Sequence, residues 1–282
     1  MTHIPAPPAP SISPLPPLST SVTRPPAAAG PPHGPGPGIL LAHGATGSIA
    51  DNFAPLIPLL ADSGHTVVAP DYPGSGATPR ADGPLSLDAL ADALVAEAVA
   101  AGVETFTLVG YSLGTAVSVR AAARHPERVR GLVLTAGLAR PDQRIRIWLD
   151  LWLRLLDRGD YTGFAQARTL AAFAPDHLDA LPPDALAAAL DDDPAGPPPG
   201  SAEQAALVAT VDTTADLPEI AVPALVIATT LDPLVHPSQS RYLADHIPGA
   251  RYAEIATGHL PMVERPEEWT ALITGFLAEQ SL

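Results

Sequence analysis

The chain has 282 residues, a formal net charge of −15 and no cysteine. That excludes disulfides, thiolate metal sites, iron–sulfur clusters and a thiol nucleophile. All 15 basic residues are arginine, which removes Schiff-base lysine chemistry and the P-loop lysine, and the acidic balance disfavours nucleic acid and membrane surfaces as partners.

The first 37 residues hold thirteen prolines among Ala, Ser and Gly. This composition predicts a flexible or polyproline-like arm over 1–37, in which "LSTSVT" (18–23) could add an edge strand. No apolar core of a leader survives between the prolines, so a cytoplasmic chain is expected. No stretch is long and apolar enough to span a bilayer.

From residue 38 short apolar runs alternate with helical stretches. The runs "GILLAH" (38–43), "HTVVAP" (65–70), "TFTLVG" (105–110) and "RGLVLTA" (130–136) read as strands of a first core segment, 38–137. "SLDALADALVAEAVAAG" (86–102) reads as a helix stopped by Gly102. Strands alternating with helices predict a mostly parallel sheet covered on both faces. Residues 138–218 contain no convincing strand and predict a helical cap. Its first helix, "RIRIWLDLWLRLLDR" (144–158), carries a charged stripe at steps of four and is otherwise apolar, so it is expected to be buried on more than one side. Trp148 and Trp152 on that helix are candidate pocket residues; ordinary packing is the competing reading. "PALVIAT" (223–229) and "ARYAEI" (250–255) continue the sheet in a second core segment, 219–282.

"VGYSLGT" (109–115) places Ser112 where a strand hands over to a helix, with Gly110 and Gly114 two positions either side. This is the pattern of a nucleophile elbow, although a glycine-bounded turn could also produce it. A serine hydroxyl is a weak nucleophile and needs a base oriented by a carboxylate. His259 follows the last strand and precedes the C-terminal helix, so it emerges on the same sheet edge as Ser112. Asp232 follows an apolar strand on that edge. Asp142 is its rival, but its position at the arginine-rich start of the cap reads as ion pairing. The order Ser, Asp, His is the one expected of this elbow. An oxyanion hole needs backbone N–H groups. The candidates are the Leu113 amide and the Ala45 amide in "LLAHGATGS" (40–48), a loop that His43 would brace. Thr46 in that loop and Leu260 beside His259 complete the candidate pocket.

Together "HGATGS", "DYPGSG", "GYSLGT", "LDPLVHPSQS" and "GHLPMVERPEE" resemble the α/β-hydrolase fold family from about residue 38 to the C-terminus. The resemblance implies an eight-stranded, mostly parallel sheet with a helical lid after the sixth strand. It also implies catalytic roles for Ser112, Asp232 and His259 and oxyanion roles for the Ala45 and Leu113 amides. Two departures stand out: the N-terminal strand pair is proline-broken, and Thr115 replaces a frequent glycine. The implied activity is cofactor-free and metal-free hydrolysis of an ester, lactone or thioester of a small apolar or polyketide-like molecule. Carbon–carbon bond hydrolysis, lyase or cyclase chemistry and haloperoxidase-like activity remain open on the same residues. So does a ligand-sensing receptor with slow hydrolysis.

Overall fold

The computed structural model describes residues 14–26, 38–190 and 196–282. Its sheet is built from β1 (Thr20–Thr23), β2 (Gly38–Ala42), β3 (Thr66–Pro70), β4 (Phe106–Tyr111), β5 (Val129–Thr135), β6 (Ala224–Thr229) and β7 (Arg251–Ile255), in the order β1-β3-β2-β4-β5-β6-β7. Only β1 runs antiparallel, pairing Thr20 with Pro70 and Thr23 with Val67; every other neighbour is parallel. Strands β2, β3, β4 and β6 are buried throughout. That is why they appear in the sequence as continuous apolar runs rather than alternating ones.

Successive side chains alternate between two apolar layers. On β2, Ile39 and Leu41 face one layer and Leu40 and Ala42 the other. The first layer holds Phe53 of α1 (Ile49–Phe53), Leu60 of α2 (Ile57–Asp62), Met262 of α11 (Pro261–Glu264) and Trp269 of α12 (Pro266–Gln280). The second holds Leu90 and Leu94 of α3 (Leu87–Ala100), Val117 of α4 (Leu113–Arg124) and Leu243 of α10 (Pro237–His246).

The described sheet has seven strands, one fewer than the resemblance implies. At the N-terminal side β1 alone represents the antiparallel pair, within the proline-broken segment. The helical insertion therefore follows the fifth described strand. It comprises α5 (Gln143–Asp157), α6 (Tyr161–Ala172), α7 (Pro175–Ala180), α8 (Pro183–Leu190), α9 (Ser201–Val208) and a 3₁₀ turn at Leu217–Glu219. Helix α5 departs from its expected burial. Ile145, Leu149 and Trp152 are buried, but Ile147 is 70% exposed. The helix packs sideways on α6 and α9 and leaves its outer side to solvent. Asp142 makes no ion pair among the described residues: it caps α5 by accepting from the Ile145 amide at 2.9 Å and also accepts from Gln239. Much of the expected arm, including 1–13 and 27–37, lies outside the described residues, as does 191–195. Among the described residues no helix is long and apolar enough to cross a membrane.

Two local devices fix the strand ends around Ser112. The first is the approach of α4 to the sheet. A Cβ on Gly114 would run into the Ala42 carbonyl, and one on Gly110 would lie 2.5 Å from the Gly114 carbonyl oxygen. The second is His43, fully buried at the end of β2. Its Nε2 accepts from the Tyr72 amide at 2.9 Å, its Nδ1 donates to the Gly44 carbonyl at 2.7 Å, and its ring stacks on Tyr72 at 3.8 Å. Burial pushes its pKa down to about 4, so the ring is neutral near pH 7 and its 4.0 Å approach to Asp71 is not an ion pair.

Gly114→Ala should destabilise the fold by about 3 kcal/mol, because backbone must move. Gly275→Ala, in the exposed interior of α12 with open space around the site, should instead gain up to about 1 kcal/mol. Thermal unfolding of the two variants measures the contrast, and equal shifts would contradict the close approach. For His43 the folded pKa lies below the unfolded value near 6.5. Only the unfolded chain therefore gains this proton as pH falls from about 6.5 to 4. The unfolding free energy should decline across that window by about 3 kcal/mol from this group and level off below it. His43→Gln keeps a donor and an acceptor without a titrating proton. Urea midpoints against pH should lack that component in the variant.

Candidate active site

β4 ends at Tyr111 and α4 begins at Leu113, so Ser112 makes the whole turn between them. Its backbone stands at φ +53°, ψ −118°, a region that costs a non-glycine residue about 1–3 kcal/mol. Three hydrogen bonds hold it there. The Ser112 amide donates to Thr135 O at 3.0 Å, and the Ser112 carbonyl accepts from the Thr115 amide at 3.0 Å and its hydroxyl at 2.7 Å. The threonine that departs from the family pattern thus anchors the serine's own carbonyl. The order of strands reverses between β2 and β4, and a crevice is expected at such a switch point, beyond the strands' carboxyl ends. Ser112 sits at that crevice.

Loops after β6 and β7 bring Asp232 and His259 to the same edge. His259 Nε2 lies 2.9 Å from Ser112 Oγ, and His259 Nδ1 lies 2.7 Å from Asp232 Oδ2. Asp232 is 4% exposed and His259 5%. Besides the imidazole, the Asp232 carboxylate accepts from the Thr229 hydroxyl at 2.8 Å and from the Leu234 and Val235 amides at 2.9 and 2.8 Å. With donors on every side of the carboxylate, the proton shared between Asp232 and the His259 ring belongs on Nδ1, which leaves Nε2 free to accept from the serine hydroxyl. The histidine loop is pinned at both backbone groups: the His259 amide donates to Ala172 O at 2.6 Å, and its carbonyl accepts from the Tyr111 hydroxyl at 2.9 Å. Burial raises the Tyr111 pKa well above the usual phenol range, which keeps that donor protonated.

The loop after β2 is tied by side chains from two directions. Asn52 Oδ1 accepts the Gly44 amide at 2.9 Å, and Gln204 Oε1 accepts the Thr46 amide at 2.8 Å, with Thr46 at φ +62°. Gln204 is fully buried on α9 and donates to Pro73 O at 3.1 Å and Ser75 Oγ at 2.8 Å. Between these ties lies Ala45, on the wall of the cavity that Ser112 and His259 also line. Leu113 opens α4, so its amide has no carbonyl one turn back and lies at the positive end of the helix.

A half-open cavity of about 570 Å³ lies between the strand ends and the insertion. Thr46, Trp152 and Leu260 line it, together with Leu138, Leu149 and Phe164. Trp148 is not among the described lining residues. It lies four residues from Trp152 but one step off the buried stripe of α5, and it packs half-buried against the core. The residues that sequence reasoning did not single out are Asn52, Gln204 and Arg168; Thr115 was marked only as the departure at the elbow, not for its bonds to the Ser112 carbonyl.

A family model described as the alpha/beta hydrolase fold matches residues 37–266. Pyrrolizixenacetamide deacetylase of Xenorhabdus hominickii is 36% identical over 251 residues, spanning 88% of this chain and 94% of that protein. Pimeloyl-[acyl-carrier protein] methyl ester esterase of Neisseria meningitidis is 31% identical over 260 residues, spanning 83% and 90%. Among solved structures, the enol-lactonase from Burkholderia xenovorans LB400 has a TM-score of 0.81 at 26% identity, covering 93% of this chain and 96% of that one. With the elbow, the mostly parallel sheet and the helical insertion, these matches mean that the chain belongs to the α/β-hydrolase fold family.

Proposed function

We propose that this protein is a serine hydrolase that cleaves an acyl bond, an ester, lactone or thioester, in a small molecule. The observation that carries the reading is the continuous relay from Ser112 Oγ through both ring nitrogens of His259 to Asp232, at 2.9 and 2.7 Å, on the wall of a cavity. Ser112 Oγ attacks the acyl carbon while His259 Nε2 takes its proton. The carbonyl electrons move onto oxygen, and the amides of Ala45 and Leu113 stabilise that charge. His259 then returns the proton to the leaving oxygen or sulfur, and the acyl group remains on Ser112. Water repeats the sequence, with His259 again as base, and releases the acid. Asp232 holds the ring in the required tautomer and stabilises the imidazolium. The relatives' names support an acyl bond as target: a deacetylase, a methyl ester esterase and an enol-lactonase.

The most similar of these three in sequence, at 36% identity, is named as pyrrolizixenacetamide deacetylase, and removal of an acetyl group from an acetamide favours amide cleavage as a second reading. Amide nitrogen is a poor leaving group, so His259 would then act chiefly as the acid that protonates it. Turnover of p-nitroacetanilide beside p-nitrophenyl acetate separates the two: hydrolysis of the anilide that disappears in Ser112→Ala selects the amide reading, and hydrolysis of the ester alone selects the first.

Ser112→Ala should lower kcat on p-nitrophenyl butyrate by about 10⁴–10⁶ while the thermal midpoint is kept. Phenylmethylsulfonyl fluoride should modify Ser112, read by peptide mass. Labelling of a different serine with loss of activity would move the site. Asp232→Asn should cost about 10⁴ in kcat, by the precedent of the triad aspartate in serine proteases. Asp142→Asn should change it by less than about twofold, because asparagine caps a helix as well as aspartate does. The reverse ranking would reassign the acid.

A further inference from the structure

Helix α6 presents Phe164, Ala165, Arg168, Thr169 and Ala172 to the cavity, the spacing of one helical face. Arg168 is the only lysine or arginine among the described lining residues. Its guanidinium has no carboxylate within 4 Å and no hydrogen-bond partner among the described residues. The charge identified as acting on it is that of Asp51, which lines the same cavity but lies beyond ion-pair distance, with one carboxylate oxygen accepting from the Ser48 hydroxyl. The other arginines at comparable depth are committed: Arg120, for example, bonds Asp88, Asp216 and the Asp212 carbonyl. Burial lowers the Arg168 pKa, a sign that its charge is held partly out of water, although an arginine stays protonated in any case. A partly desolvated cation with no carboxylate in contact is costly unless a ligand supplies one.

We infer that Arg168 binds a carboxylate of the substrate, so that the compound cleaved is a small acid carrying its ester, lactone or thioester at the other end. This rests on the hydrolase reading of Ser112. The planar guanidinium fork matches a carboxylate with two parallel hydrogen bonds. The spacing follows from the helix. Ala172, whose carbonyl holds the His259 amide, is four residues from Arg168, about 6 Å along the axis. A carboxylate a few carbons from the scissile carbonyl spans that separation, and the apolar walls of Leu149, Trp152 and Phe164 suit the methylenes between. The net charge of −15 repels anions from the surface as a whole. A preference for an anionic ester therefore reports a local site.

Monomethyl adipate and methyl hexanoate differ mainly in a terminal carboxylate. Binding of each to the Ser112→Ala protein by calorimetry, and turnover of each by the active protein with pH-stat detection, test the inference. Monomethyl adipate should bind at least tenfold more tightly and be hydrolysed with the higher kcat/KM. Arg168→Met should lower the adipate-to-hexanoate ratio by ten- to a hundredfold in both measurements. Arg168→Lys, which keeps the charge without the fork, should give an intermediate ratio, and it serves alone if the methionine variant does not fold. Equal affinities, or a preference that survives Arg168→Met or is undiminished in Arg168→Lys, would overturn the inference. Hydrolysis of both esters without discrimination removes the carboxylate site and leaves the hydrolase reading standing. Arg168-dependent binding with no hydrolysis of either ester does the reverse.

Discussion

Everything at the candidate site depends on one turn that the backbone resists. Ser112 has to occupy a left-handed conformation so that its hydroxyl projects from the sheet edge rather than into the core. That is possible only because the strand before it and the helix after it touch through glycines. The cost is offset locally, by the amide bond to Thr135 and the two bonds from Thr115. It is also offset at long range, because β4 is the central strand of a buried parallel sheet and cannot relax without disturbing both apolar layers. A strained residue anchored in the most rigid part of a fold keeps its geometry while loops around it adjust to substrate.

The remaining site residues reach the turn by a different logic. Asp232 and His259 follow the two strands beyond β5, and parallel strands deliver their following loops to one edge. Side chains 27 positions apart in sequence therefore meet without any long-range device beyond the sheet itself. The loop that carries Ala45 lacks such support and is tied down by borrowed groups, Asn52 from the core and Gln204 from the insertion.

This contrast also explains what could be read from the residues. Strands such as "TVVAP" and "ALVIAT" were visible because burial on both faces leaves an unbroken apolar run. Ser112 was visible because glycines at fixed offsets are a steric requirement. The positions of Asp232 and His259 followed from the strand ends. The orientation of α5 was not legible: with apolar residues at nearly every position outside the charged stripe, nothing distinguished the side bearing Trp152 from the side bearing Ile147. Asp142 looked like an ion-pair partner because arginines surround it in sequence, whereas the helix it begins needs a cap. Gln204 meets Thr46 across 158 positions, and no periodicity marks such a bond. Arg168 sits in an alanine-rich helix, where its charge looks like ordinary solvation until the helix is seen from the cavity side.

Gln204 has a consequence for how this architecture can be recombined. One side chain on the insertion satisfies the Thr46 amide, the Pro73 carbonyl and Ser75 Oγ, all on core loops. An insertion grafted without this glutamine would break all three bonds at once, next to the amide of Ala45, and leave Ser75 Oγ only its bond to the Gly47 carbonyl. The core and its lid are therefore not interchangeable cassettes. A viable crossover between relatives must carry this glutamine, or both loops it holds, as a single inherited block.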